Sequence, residues 1–165
     1  MKLEELRPGS RVFIDANIFI YHFSGVSEEC SSFLERCEKE EVTAFTTAGV
    51  LLEVTHRLMM LEAVVKGFVT PGDTAKKLRR NPAVISKLSL YAEQVQRIPQ
   101  MNIHVVPVTE EICYRALTLQ QKYALMVNDS VLVAACQADN CRYLASNDAV
   151  FSKVERLTVL RPTDV

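Results

Sequence analysis

The sequence predicts an α/β protein in which a mainly parallel sheet is covered by helices on both faces. Short runs rich in β-branched and aromatic residues alternate along the chain with longer segments whose apolar residues recur at helical spacing. This alternation is typical of right-handed βαβ units. The chain has 165 residues, 48% of them hydrophobic and 24% charged, and shows no repeat or linker. We therefore expect a single domain over residues 1–165.

The first half of the chain contains two predicted strands and two predicted helices. Arg11–Ile14 is a short apolar run that ends directly before Asp15, which indicates a buried strand. A serine followed by two glutamates predicts a helix over about Ser27–Glu38, because serine caps and early acids favour a helix start. Val42–Thr46 is the second predicted strand. Apolar residues at helical spacing then predict one long helix over about Gly49–Val65.

The middle of the chain is predicted to be helical and basic. Breaks at Thr70–Asp73 and Asn81–Pro82 interrupt it, and Pro82 suits the first turn of a helix that runs to about Arg97. The charged residues from position 76 to position 97 are Lys76, Lys77, Arg79, Arg80, Lys87, Glu93 and Arg97. A solvated helix face and a polyanion-binding surface both explain this basic segment.

The last third of the chain adds three predicted strands and two helices. The strands are Ile103–Val108, Tyr143–Ala145 and, at the sheet edge, Leu157–Leu160. Thr109 caps a helix that ends at about Tyr123, and Asn128–Ser130 is expected to cap the next one. Asp15 and Asp148 each follow a strand closely. Because ligands of open α/β sheets bind outside the carboxyl ends of the strands, both acids are expected at one rim.

Charge and cysteine content restrict the class of protein. The net charge is −1, so a polyanion would have to be bound by a local basic patch or through a metal ion. The five cysteines form no C-x-x-C pair, which favours reduced thiols and a cytoplasmic location. The amino terminus lacks a signal-peptide core, and no apolar run is long enough to span a membrane. We therefore expect a soluble protein without membrane partners.

Four carboxylates are the main candidates for a functional site: Asp15, Glu53, Asp129 and Asp148. Each stands where an apolar segment ends or shows one polar position. Several converging carboxylates are best neutralised by a hard divalent cation such as Mg²⁺ or Mn²⁺, which prefers oxygen ligands. We call these four residues the acidic quartet.

Each member of the acidic quartet also has an ordinary structural explanation. Asp15 and Asp129 are placed to cap helices, and Asp148 is placed to form a turn. Glu53 lies inside a helix and is expected either on its solvent face or paired, with Arg57 one turn away as the simplest partner. His56, three residues after Glu53, is interpreted as structural because a second E-x-x-H motif is absent.

Four segments of the chain resemble motifs of the PIN domain family, including its VapC-type toxin ribonucleases. The segments are F-I-D-A-N-I-F-I-Y, L-L-E-V-T-H-R-L, N-D-S-V-L-V-A-A and L-A-S-N-D-A-V-F, and they span about Val12–Phe151. The resemblance implies a three-layer α/β/α sandwich and a metal-dependent ribonuclease. It also implies an RNA substrate, a homodimer and a small antitoxin protein as partners.

The resemblance assigns roles to six residues. The acidic quartet matches the acids with which the family binds Mg²⁺, and Mn²⁺ is expected to substitute for it. Asn17 matches a small polar residue two positions after the first acid, and Ser146 stands where threonine is more usual. Asn140 replaces a common glycine, which asparagine tolerates because it reaches left-handed backbone conformations. The reaction implied is hydrolysis of RNA by in-line attack of water.

Two other classes of protein compete with this interpretation. Aspartyl phosphotransferases of the haloacid dehalogenase kind also begin with a hydrophobic strand and an Asp, but they need a second Asp at the position of Asn17. A non-enzymatic, PIN-like binding subunit of an RNA-processing assembly is the other alternative. Metal-dependent cleavage of single-stranded RNA separates a nuclease from such a subunit, and a neighbouring antitoxin gene separates a toxin from a processing enzyme.

Overall fold

A five-stranded, entirely parallel sheet forms the centre of the computed structural model, which describes residues 1–165. The strands are β1 (Arg11–Ile14), β2 (Thr43–Thr47), β3 (Ile103–Val106), β4 (Tyr143–Ala145) and β5 (Thr158–Leu160), in the spatial order β3-β2-β1-β4-β5. Val12, Phe13 and Ile14 are all buried although successive side chains of a strand point to opposite faces. Both faces of the sheet are therefore covered, as predicted.

Seven α-helices surround the sheet. They are α1 (Ala16–Ser24), α2 (Glu28–Glu38), α3 (Ala48–Val65), α4 (Thr74–Arg80), α5 (Leu90–Arg97), α6 (Glu110–Tyr123) and α7 (Val127–Ala138). The hydroxyls of Ser27, Thr47 and Thr109 accept hydrogen bonds from free amides at the starts of α2, α3 and α6. None of the helices is long and apolar enough to cross a membrane.

The strand order places a topological switch point at the centre of the sheet. From β1 the chain continues outward to β2 and β3, and it then returns to place β4 on the other side of β1. Connections therefore leave the β1–β4 pair in opposite directions, which opens a crevice at the carboxyl ends of these strands. Asp15 and Ser146 are the first residues after β1 and β4.

Several boundaries differ from the sequence prediction, among them that of the edge strand, which begins at Thr158 rather than Leu157. The second strand is shifted by one residue and the third ends at Val106 rather than Val108. The predicted helix from Pro82 to Arg97 was wrong, because a 3₁₀ segment (Pro82–Lys87) and α5 share this stretch. The predicted cap at Asn128–Ser130 was also wrong: α7 begins at Val127, so Asp129 lies in its first turn.

A buried carboxylate explains the interruption of the predicted helix. The Glu62 side chain on α3 accepts hydrogen bonds from the amides of Ser89 (3.1 Å) and Tyr91 (2.9 Å) at the start of α5. Lys66 Nζ lies 2.6 Å from the same carboxylate. Burial alone would raise the pKa of Glu62, but these hydrogen bonds lower it to about 2. Glu62 thus starts a new helix and fixes the basic segment to α3.

We expect Glu62→Ala to lower the free energy of unfolding by about 2–4 kcal/mol, because it leaves two partly buried amides and a lysine without their partner. Urea denaturation measures the loss. Glu35→Ala is the control, since Glu35 is exposed and its Lys39 partner lies at 3.9 Å. The effect of Glu62→Ala should shrink as the pH falls from about 4.5 towards 2, because the stabilisation requires an ionised Glu62. Equal stability of the two variants at neutral pH would contradict this role.

Candidate active site

The Asp15 carboxylate is held at the crevice by three hydrogen bonds. Oδ1 accepts from the amide of Ala16 (2.7 Å), and Oδ2 accepts from Asn17 Nδ2 (2.8 Å) and Ser146 Oγ (2.6 Å). An ionised carboxylate has about four acceptor positions, so about one stays free for another partner. Asp15 therefore caps α1 and also keeps an oxygen available in the crevice.

Ser146 connects the ends of β1 and β4. Its buried hydroxyl donates to Asp15 and accepts from Asn17 Nδ2 (3.1 Å) and from the amide of Asp148 (3.0 Å). Asn17 Oδ1 in turn accepts from the amide of Asn147 (3.1 Å). The network fixes the turn that carries Asp148, whose own Oδ1 accepts from the amide of Val150 (2.9 Å).

Glu53 and Asp129 approach the crevice from α3 and α7. Glu53 is half-buried and its Oε2 accepts from Asn128 Nδ2 (3.2 Å), which links the two helices next to Asp129. Glu53 forms no ion pair with Arg57, so the local pairing considered for it is not observed. His56 is exposed and has no hydrogen-bonding partner in the chain.

Electrostatic coupling joins the acidic quartet into one set. The pKa of Asp15 is raised to about 6, chiefly by burial and also by the charges of Glu53 and Asp129, against the lowering effect of the bonds from Ser146 and Ala16. Burial also raises the pKa of Asp129, with contributions from Asp148 and Glu53. The fold thus brings carboxylates together in a place where water does not fully stabilise their negative charge.

The donor set has the chemistry that Mg²⁺ or Mn²⁺ requires, since it consists of carboxylate oxygens supported by hydroxyl and amide groups. No group of three or more His, Cys, Asp or Glu side chains is close enough together to hold an ion jointly. A Mg²⁺ ion usually keeps several waters and needs only one or two protein carboxylates. The free acceptor position of Asp15 and the mutual repulsion of the acids therefore fit a partly hydrated cation.

Four supporting residues were missed by the sequence prediction. Asn128 bridges to Glu53, and Asn147 donates its amide to Asn17. Arg161 donates to the carbonyl of Asp148 (3.2 Å), and the charge of Lys153 lowers the pKa of Asp129. In the sequence, the sole signal for these two asparagines was that they are adjacent to Asp129 and Asp148. Arg161 and Lys153 carried no local signal.

A large surface cleft lies away from the acidic quartet. A volume of about 910 Å³ lies beside the amino end of β4, bounded by residues that include Lys122, Asn140 and Arg142. Asn140 adopts the left-handed conformation (φ 51°) expected where glycine is common. The chemistry of the carboxylates, rather than cleft size, locates the candidate site.

A parallel α/β sandwich with an acidic crevice at its switch point belongs to the class of α/β proteins that bind ligands at the carboxyl ends of their strands. The family model described as PIN domain matches residues 12–157, so this chain belongs to the PIN domain family. The resemblance noted in the sequence motifs is therefore confirmed.

Individual proteins are similar over nearly the whole chain. Ribonuclease VapC2 of Methanocaldococcus jannaschii is 25% identical over 167 residues, which cover 97% of each chain. The crystal structure of VapBC2 from Rickettsia felis, bound to a DNA fragment from their promoter, aligns with a TM-score of 0.57 at 15% identity and covers 92% of this chain and 98% of that one. Mycobacterium tuberculosis VapC20, a sarcin-ricin loop cleaving toxin, aligns with a TM-score of 0.58 at 14% identity. The alignment covers 86% of this chain and 92% of that one. These structures support the three-layer α/β/α sandwich.

We expect Asp15→Asn to raise the free energy of unfolding by about 1–2 kcal/mol at about pH 7.5 in the absence of divalent ions. The folded-state pKa of about 6 lies above the ordinary value of 3.8, so wild-type stability is fully present below pH 3.8 and falls as the pH rises through 6. The Asp15→Asn variant carries no charge at this position, so its stability does not fall over this pH range.

Urea denaturation at about pH 4 and pH 7.5 measures the difference, which should be large only at the higher pH. The exposed Asp73→Asn is the control, because Asp73 has no side-chain hydrogen bond as the residue before α4. If the wild type were as stable as Asp15→Asn at both pH values, the conclusion that the ionised Asp15 destabilises the folded protein would be wrong.

Proposed function

We propose that this chain is a metal-dependent endoribonuclease that hydrolyses phosphodiester bonds of RNA, as the VapC-type toxin of a toxin–antitoxin pair. The observation that carries the proposal is the electrostatic coupling of Asp15, Glu53, Asp129 and Asp148 at the switch point. The name ribonuclease of a relative aligned over 97% of the chain supports the reaction.

Mg²⁺ is the proposed cofactor, and Mn²⁺ is expected to replace it. Asp15 and Asp129 would bind the ion directly, Asp148 directly or through water, and Glu53 through a bound water or a second ion. When bound, the ion supplies Lewis acidity and an activated water. The all-oxygen character of the acidic quartet supports this assignment, as does the raised pKa of Asp15.

The chain's own residues orient the reaction. Asn17 and Ser146 fix the Asp15 carboxylate, so that its free acceptor position keeps one direction. The negative charges of Asp129 and Asp148 orient the attacking water for in-line displacement. The hydrogen bond from Asn128 holds the Glu53 side chain towards α7. Carboxylates that are fixed before substrate arrives need no reorganisation during the reaction.

An antitoxin protein, a second copy of the chain and a cytoplasmic location belong to the same proposal. A toxin-antitoxin complex from Klebsiella pneumoniae aligns with this chain at a TM-score of 0.55, which supports a protein partner. All five cysteines are unpaired, which supports a reducing compartment.

We expect Asp15→Asn to remove metal-dependent cleavage of a single-stranded RNA pool, with circular dichroism unchanged. In Ser146→Ala, the cleavage rate should fall by only about 10–100-fold, because Ser146 positions a metal ligand and is not itself a ligand. Asp73→Asn should cleave like the wild type. EDTA should stop the wild-type reaction and added Mn²⁺ should restore it. Full activity of Asp15→Asn would reject the assignment, and an inactive wild type would favour a PIN-like binding subunit.

The basic segment is proposed to contact the RNA backbone. Lys76, Arg79 and Arg80 are exposed on α4 at positions i, i+3 and i+4, so they share one face of the helix. Lys77 differs, since its Nζ donates to Thr70 Oγ1 (2.7 Å) and to the carbonyls of Thr70 and Pro71. Lys77 therefore stabilises the turn at Thr70 and Pro71.

We expect the triple variant Lys76→Ala, Arg79→Ala, Arg80→Ala to flatten the dependence of log affinity on log salt by up to about 2, because each phosphate contact in single strands adds about 0.7 to the slope. Fluorescence anisotropy with single-stranded RNA measures the slope in an Asp15→Asn background. Lys77→Ala is the control, and it should change stability rather than slope. An unchanged slope in the triple variant would identify the segment as a solvated face.

A further inference from the structure

A shallow groove borders the acidic quartet on the side of α3. Its volume is about 450 Å³, and its lining residues are Gly49, Leu52, Glu53, His56, Arg57 and Asn128. We call it the α3 groove. Glu53 belongs both to the groove and to the acidic quartet, so a molecule seated in the groove touches the proposed reaction centre.

Arg57 is an unpaired cation beside a strongly acidic centre. It lies four residues after Glu53, the spacing at which an arginine and a glutamate on one helix readily pair. No such pair forms, because Glu53 accepts from Asn128 instead, and Arg57 has neither an ion pair nor a hydrogen bond. The exposed Arg57 thus lies about one helical turn from Glu53, with a rise of about 6 Å between the two backbone positions.

Two further lining residues fit a bound nucleotide. Gly49 lies in the first turn of α3, where glycine is less favourable than alanine by about 0.5–1 kcal/mol. The fold does not require it, since a Cβ there would meet only Thr47 Oγ1 at 3.6 Å. A missing side chain in the groove lets a backbone approach closely. Leu52 is 73% exposed and offers an apolar surface to a base.

We propose that the α3 groove binds the nucleotide next to the scissile phosphate, with Arg57 contacting its phosphate, His56 its sugar or base and Leu52 its base. The inference rests on the proposed RNA cleavage and adds a substrate-positioning site to it. Arginine suits this position because its fork of donors matches phosphate oxygens. It also offsets the repulsion between RNA and the acids of the reaction centre.

A second copy of the chain is the competing occupant of the α3 groove. The cores of interfaces between copies are depleted of charged residues and enriched in apolar ones. Here Leu52 is the only large apolar side chain, and it stands among Glu53, His56 and Arg57. The lining therefore matches a polyanion better than a protein surface.

Arg57→Ala in an Asp15→Asn background tests the proposal by fluorescence anisotropy with a short single-stranded RNA pool. We expect affinity to fall about tenfold and the salt slope to flatten by about 0.7. Arg142→Ala is the matched control, because Arg142 is also exposed and lies at the amino end of β4, away from the crevice. It should leave both quantities unchanged.

Two measurements separate failure of the groove from failure of the proposed function. In the otherwise wild-type chain, Arg57→Ala should raise KM about tenfold with little change in kcat, as expected for a binding contact. RNA cleavage with no difference between Arg57→Ala and Arg142→Ala would overturn the groove alone. Neither cleavage nor RNA binding by the wild type would overturn both proposals. An altered oligomeric state of Arg57→Ala in size-exclusion chromatography would assign the groove to a second copy and overturn the RNA site.

Discussion

The hydrogen bond from Ser146 to Asp15 is the contact on which the candidate site depends. It crosses the switch point between β1 and β4 and joins two residues that are 131 positions apart. Because the hydroxyl also accepts from Asn17 and Asp148, one buried group fixes both ends of the crevice. Asp15 and Asp148 are therefore positioned by the ends of two strands, whereas α3 and α7 carry Glu53 and Asp129.

Two acids of this chain show how surroundings decide the role of a carboxylate. Glu62 has a lysine and backbone amides around it, so its charge is stabilised and its pKa is low. Asp15 also accepts hydrogen bonds, but burial and, to a smaller extent, its acidic neighbours raise its pKa. The first arrangement is complete and holds α5 in place. The second is incomplete without a positive partner, which is the electrostatic signature of a functional site.

Substrate binding and metal binding place opposite demands on the same surface. A cation site needs clustered carboxylates, whereas RNA is repelled by them. In the proposed ribonuclease, the exposed cations at Arg57 and on α4, which lie outside the quartet, would meet the second demand. A chain with a net charge of −1 can in this way bind a polyanion locally.

Much of the fold was predictable because local signals agreed with it. The strand Arg11–Ile14, the strand Tyr143–Ala145 and the capped helix after Ser27 are observed with the predicted bounds. The predicted helix from Pro82 failed because its interruption depends on Glu62, a residue 27 positions before Ser89. The start of α7 was misjudged because Asp129 contributes charge to the crevice instead of a cap.

The sequence by itself determined the alternation of strands and helices, the four acids and the family, since these follow from periodicity and from short motifs. Only the tertiary structure decided that Glu53 bonds to Asn128 rather than to Arg57, that Lys77 fastens a turn, and that Arg161 supports Asp148. These pairings join residues on different elements or choose among several local partners. Their free energies depend on distance and burial, which no local pattern of residues encodes.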